Sequence, residues 1–125
     1  MAYERGDVVL VPFPFTNLAG AKARPAIVVS AARFNSRDVV LVAVTSQLVP
    51  IGDPLTIDLP PDTPQFAAMG LRKHSAVLVG KLVSLDQTLP YRAIGTAGDE
   101  LLREVDARLE PLLGLRSPAA ESPQP

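Results

Sequence analysis

The chain has no cysteine, no tryptophan, a single histidine and no surplus of basic charge. Without cysteine it forms no disulfide and offers no thiolate to a metal. One histidine rules out a multi-histidine zinc site within a single chain. A net charge of −1 creates no chain-wide field that would attract nucleic acid. No apolar run approaches the roughly 18 residues needed to span a bilayer. The first residues, Met1-Ala2-Tyr3-Glu4-Arg5, carry no secretory pattern. These absences set the expectation of a cytoplasmic protein that binds no membrane, no tightly held metal and no cofactor.

What is present is a set of short apolar runs divided by proline and glycine. The 125 residues are 47% hydrophobic, enough for the core of one domain. Charge is unevenly spread. Residues 1–81 hold eight Lys/Arg against six Asp/Glu, and residues 82–125 hold four against seven. The positive bias therefore lies in the first two thirds.

The runs read as strands. The first covers 7–11 and is stopped by Pro12-Phe13-Pro14-Phe15, because proline donates nothing to a ladder. A loop over 16–23 follows. The second strand spans 24–30, with Pro25 expected at a strand start or on an edge. A helical turn is expected within 31–37, and a third strand over 38–45. Alternation marks 55–59 as a half-exposed strand. Residues 66–71 suggest another short one after the break at 60–64. A long strand runs from Ser75 to Val83 with Gly80 as a candidate bulge, and a short one covers 91–95. Leu101, Leu102, Val105, Leu109, Leu112 and Leu113 recur at helical spacing. Asp99 and Glu100 suit the helix N-terminus and Gly114 its stop. Pro111 predicts a kink or an early end near Glu110. Connections between the early strands are too short for crossover helices. The expected fold is mainly β, a small SH3-like curved barrel of about five to seven strands with a C-terminal helix. The domain is expected over residues 1–115, and 116–125 reads as a disordered proline-rich tail.

The chemically informative residues are Arg24 and Thr45. Arg24 opens the second strand and Thr45-Ser46 closes the third. If these strands pair antiparallel, a guanidinium lies beside two hydroxyls at one rim of the sheet, an arrangement suited to phosphate. Ordinary readings compete for each residue: a surface ion pair for Arg24, plain turn residues for Thr45 and Ser46. His74 tempts as a proton carrier, yet in Arg72-Lys73-His74-Ser75 it equally reads as a solvated basic turn whose cations could meet phosphates. Phe13 and Phe15 suit either core packing or stacking on a base.

Taken in order, Gly6-Asp7-Val8-Val9-Leu10-Val11, Lys22-Ala23-Arg24-Pro25-Ala26-Ile27-Val28-Val29-Ser30 and Val44-Thr45-Ser46 resemble the signature of the MazF/PemK-like toxin family. The run Asp99-Glu100-Leu101-Leu102-Arg103-Glu104-Val105-Asp106 with Leu112-Leu113-Gly114-Leu115 is similar to the family's last helix, so the resemblance covers residues 4–115. It implies the toxin of a toxin–antitoxin pair: a sequence-specific, metal-independent endoribonuclease acting on single-stranded RNA as a homodimer, and restrained by a cognate antitoxin protein. The family's catalytic arginine matches Arg24 and its threonine Thr45. Candidate RNA contacts are Phe15, Asn17, Lys22, Ser46, Gln47, Lys73 and Lys81. Many members carry Asp-Gln where Gly80-Lys81 stand here, which removes those side chains from base recognition and offers Lys81 to a phosphate. The alternatives are a non-catalytic SH3-like binding module, or a degenerate toxin that binds antitoxin or another protein such as a topoisomerase.

Overall fold

The most apolar runs take the centre of the sheet because they are buried on both faces. The computed structural model describes residues 3–12, 23–47 and 52–115. Within them, β1 (Asp7–Pro12), β2 (Ala23–Val28), β3 (Asp38–Thr45), β4 (Thr56–Leu59), β5 (Ser75–Asp86) and β6 (Arg92–Thr96) form one sheet in the order β4-β5-β3-β2-β1-β6. Every pairing is antiparallel. Val8, Ile27 and Val42 enter one apolar cluster with the helices, while Val9, Val28 and Leu41 enter another. Consecutive residues are therefore both buried, which is why these strands read as continuous runs and not as alternating ones. A short 3-10 turn occupies Ala32–Phe34, where a helical turn is expected.

The sheet curves like a barrel, but no ladder joins its edge strands β4 and β6. The gap is spanned by α1 (Pro64–Ala68) and the turn after it. This corrects the strand expected over 66–71. Pro64 takes a first-turn helical position, where its missing N–H costs nothing. Phe66 and Met69, three apart, are both buried on one face. Six residues are too few for a strand and a helix to be told apart by period.

Behind α1 the backbone of Met69 and Gly70 lies directly on β6. A methyl group built on Gly95 would sit 2.5 Å from the carbonyl oxygens of both Ala68 and Met69. Gly70, with φ +76°, would likewise collide with the Ile94 carbonyl. Two glycines thus allow backbone to rest on backbone where the barrel would otherwise need a ladder.

Helix α2 (Asp99–Leu112) packs Leu101, Leu102 and Val105 into the larger cluster. It runs past the expected stop at Glu110. Pro111 lies in the last turn, and the carbonyls around it are closed by Gly114 N–H to Pro111 O and Leu115 N–H to Glu110 O, a Schellman ending with Gly114 at φ +71°. Arg5 ties the helix to the sheet, donating to the Val29 carbonyl and to Asp106, each at 2.5 Å.

Asn35 is fully buried and completely engaged. Its amide donates to the Tyr3 and Ser30 carbonyls at 2.8 and 3.2 Å, and its oxygen accepts from the Ser30 hydroxyl. That hydroxyl in turn accepts the Val40 N–H at 3.0 Å. Asn35→Ala strands these partners without water, and we expect a loss of about 2–3 kcal/mol in urea unfolding. A loss below about 0.5 kcal/mol would mean the network contributes little.

At the end of β5 the Thr88 hydroxyl and N–H both donate to Asp86, at 2.7 and 2.9 Å. With Arg37 nearby as a lesser cause, they hold the Asp86 carboxyl below its ordinary value. A lowered carboxylate pKa contributes stability above the unfolded value and loses it as pH falls through the folded one. In Thr88→Val, an NMR titration should move Asp86 back up toward the ordinary value. An unchanged titration would refute the hydroxyl as the main cause.

Candidate anion-binding site

Pairing of β2 with β3 matches Ala26 with Ala43 and Val28 with Leu41. These pairs end at Ala26 and Ala43; continued two positions further, the same register would bring Arg24 level with Thr45. Pro25 lies outside the β2–β3 pairs but still faces Leu10 of β1, so it sits at a strand start, though on a central strand. Thr45 is half-buried, and its hydroxyl accepts the Gln47 N–H at 3.1 Å, which turns the chain out of β3.

Beside this pair opens a cavity of about 670 Å³. Its floor is apolar, from Leu10, Pro25, Val44 and Ile94, and Ser46 and Ser75 add hydroxyls. Among the described residues its charged lining is Arg24, Arg72, Lys73 and Arg92, with no carboxylate. Four of the chain's twelve Lys/Arg therefore meet in one concavity of a protein whose net charge is −1. Low-dielectric walls lined by one sign of charge focus the potential toward an anion.

The four cations arrive from three separate segments. Arg24 is on β2. Arg72 and Lys73 follow Gly70, set down beside β6 by the glycine contact. Arg92 is carried in by pairing of β6 with β1, opposite Leu10. Sequence reasoning picked Lys73 from its turn, but it missed Arg72 and Arg92 as individual contacts. Arg72 had a signal, the basic run 72–74. Arg92 had none, because nothing local tells that β6 returns to β1.

The remaining candidates are dispersed. Ser46 lines the cavity, whereas Thr45 lies on the opposite pleat from Val44 and Ser46, and Gln47 is exposed beyond them. Lys81 does not line it. The β3–β5 register slips between Val42 and Ala43, whose partners are Leu82 and Leu78. Residues 79–81 thus form the bulge expected around Gly80, with Lys81 half-buried in it. His74 points to Asp58, Nε2 to Oδ1 at 2.7 Å, in an exposed pair outside the cavity. Phe15, Asn17 and Lys22, with the tail 116–125, lie outside the described residues. Among the described residues no group of three or more His, Cys, Asp or Glu could hold a metal ion, and no helix is long and apolar enough to cross a membrane.

The fold is a small antiparallel β-domain with a terminal helix, and the charged residues described around its cavity are all cationic. The chain belongs to the family of PemK-like, MazF-like toxins of type II toxin–antitoxin systems, whose model matches residues 4–113. It is similar to MazE–MazF from Deinococcus radiodurans, with 28% identity, a TM-score of 0.70, and 93% of this chain and 99% of that one covered. An endoribonuclease from a mycobacterial species shares the fold at 22% identity and TM-score 0.69, with 94% and 97% covered. An endoribonuclease in complex with its cognate antitoxin, also mycobacterial, does so at 21% and 0.67, with 94% and 98% covered. Comparison with curated protein sequences gives no match.

Proposed function

We propose that this toxin is a metal-independent endoribonuclease that cuts single-stranded RNA at the sheet rim that carries Arg24 and Thr45. The observation that carries the reading is the carboxylate-free cationic cavity opening beside that pair. Family membership and the endoribonucleases among its structural neighbours support it.

In this reading the 2′-oxygen of one nucleotide attacks the adjacent phosphorus. The bond to the 5′-oxygen breaks, leaving a 2′,3′-cyclic phosphate and a 5′-hydroxyl. The proton lost from the 2′-hydroxyl passes to water, and water returns one to the departing oxygen. Arg24 stabilises the charge that gathers on the non-bridging oxygens, since a guanidinium stays protonated and forks two donors. Thr45 orients the 2′-hydroxyl or a phosphate oxygen. Neither side chain is a strong proton carrier, so catalysis rests on positioning and charge. DNA lacks the nucleophile and is not cut.

In this reading the protein acts in the cytoplasm as a homodimer and is restrained by a cognate antitoxin; the MazE–MazF and endoribonuclease–antitoxin complexes among its neighbours support the antitoxin. Incubating the wild-type protein with a long single-stranded RNA in EDTA, and mapping the fragment ends, tests the reading. Discrete cuts with cyclic phosphate ends support it. Intact RNA overturns it in favour of a non-catalytic binding module or a degenerate toxin.

A further inference from the structure

Arg24 alone suffices to hold one phosphate, yet three more cations share its cavity. None of Arg24, Arg72, Lys73 and Arg92 is in an ion pair with a described residue. Among the other described residues Arg5 pairs with Asp106, Arg108 with Glu104 and His74 with Asp58, while Arg33, Arg37, Lys81 and Arg103 are in no ion pair, so it is the gathering of four cations in one concavity that sets this group apart. Confining four like charges is unfavourable unless an anion compensates them. The backbone places them: Arg92 sits in the β1–β6 ladder, and Arg72 follows Gly70, whose backbone lies against β6, while the side chains of Arg72, Lys73 and Arg92 are exposed.

We propose that Arg72 and Arg92, with Lys73 beside them, form a second phosphate subsite that grips the RNA phosphate next to the one cut at Arg24. This rests on the ribonuclease reading and adds residues to it. The ligand class follows from the chemistry. A single phosphate does not need four cations, and a chain of phosphates presents a second charge one nucleotide away. Two guanidiniums on adjoining elements offer bidentate donors to that charge. The apolar floor between the two ends leaves room for the intervening sugar and base. Arg72 and Arg92 are binding and positioning residues, and the reacting bond is left to Arg24 and Thr45.

The test uses the full-length double variant Arg72→Ala/Arg92→Ala, with Arg103→Ala on exposed α2 as a control. Binding of a 2′-O-methyl RNA, which cannot be cut, is measured against salt. Each phosphate neutralised on a single strand contributes about 0.7 to the slope of log K against log salt. The double variant should lose about 0.7 of slope, raise KM roughly tenfold and leave kcat within about threefold, the pattern of lost uniform binding. Arg103→Ala should match wild type. An unchanged slope and KM in the double variant would overturn the subsite. So would an equal slope loss in Arg103→Ala, which marks diffuse surface attraction, or a fall in kcat at constant KM, which marks a role in the chemistry. If the wild type neither binds nor cuts RNA, the ribonuclease reading falls and the subsite falls with it. A wild type that cuts while the double variant is unaffected removes the subsite alone.

Discussion

Arg24→Ala should cut single-stranded RNA roughly 10²–10³ times more slowly than wild type, with the loss in kcat and little change in KM. The size follows from removing a preorganised donor aimed at charge that develops only in the transition state, worth about 2.7–4 kcal/mol. Pairing of β2 with β1 sets the Arg24 backbone opposite Val11, and its side chain lines the cavity. Arg24→Lys keeps the charge but loses the planar fork, and should recover only part of the rate. Thr45→Ala should cost much less, about 2- to 10-fold, because one neutral hydrogen bond contributes about 0.5–1.5 kcal/mol. Its effect is also mixed, since the Thr45 hydroxyl already accepts the Gln47 N–H. Initial rates on a defined oligonucleotide decide the ranking. Equal activity of Arg24→Ala and wild type would remove Arg24 from the reaction.

Gly95→Ala should be strongly destabilising, costing about 3 kcal/mol in urea unfolding. The added carbon meets two backbone carbonyls of the turn after α1, and backbone yields far less readily than the end of a flexible side chain. A loss of that size is a large fraction of an ordinary domain's stability. Because that turn leads into Arg72 and Lys73, any folded Gly95→Ala protein should also show a raised KM for RNA. Gly98→Ala is the matched comparison. A methyl there meets nothing within 4 Å, and as a helix N-cap change it should cost less than about 1 kcal/mol. Similar unfolding midpoints for the two variants would show that the β6 contact is soft and that the barrel gap is not closed there.

Features set by local chemistry were legible in the chain. The β3 boundaries, 38–45, follow from a single apolar run ending in Thr-Ser. Gly80 marked its bulge and Gly114 its helix stop, because each answers a backbone demand within a few residues. Three local readings failed, and each had a competing cause. The strand expected over 66–71 is a helical turn because burial of Phe66 and Met69 outweighs strand propensity in so short a segment. Pro111 did not end α2, because a proline in the last turn forfeits one bond while the glycine ending satisfies the carbonyls around it. Lys81, attractive as an isolated basic residue, is held in the bulge away from the cavity.

The sequence by itself determined the six strands and the terminal helix, because those depend on period, turn chemistry and short-range pairing. Only the tertiary structure decided the cavity. Its cations come from β2, from the α1–β5 connection and from β6, segments up to 68 positions apart, as Arg24 and Arg92 are. They meet because β6 returns to β1 and because two glycines let backbone rest on backbone. Contacts of that separation depend on how the whole sheet curves, and no local pattern in the chain encodes it.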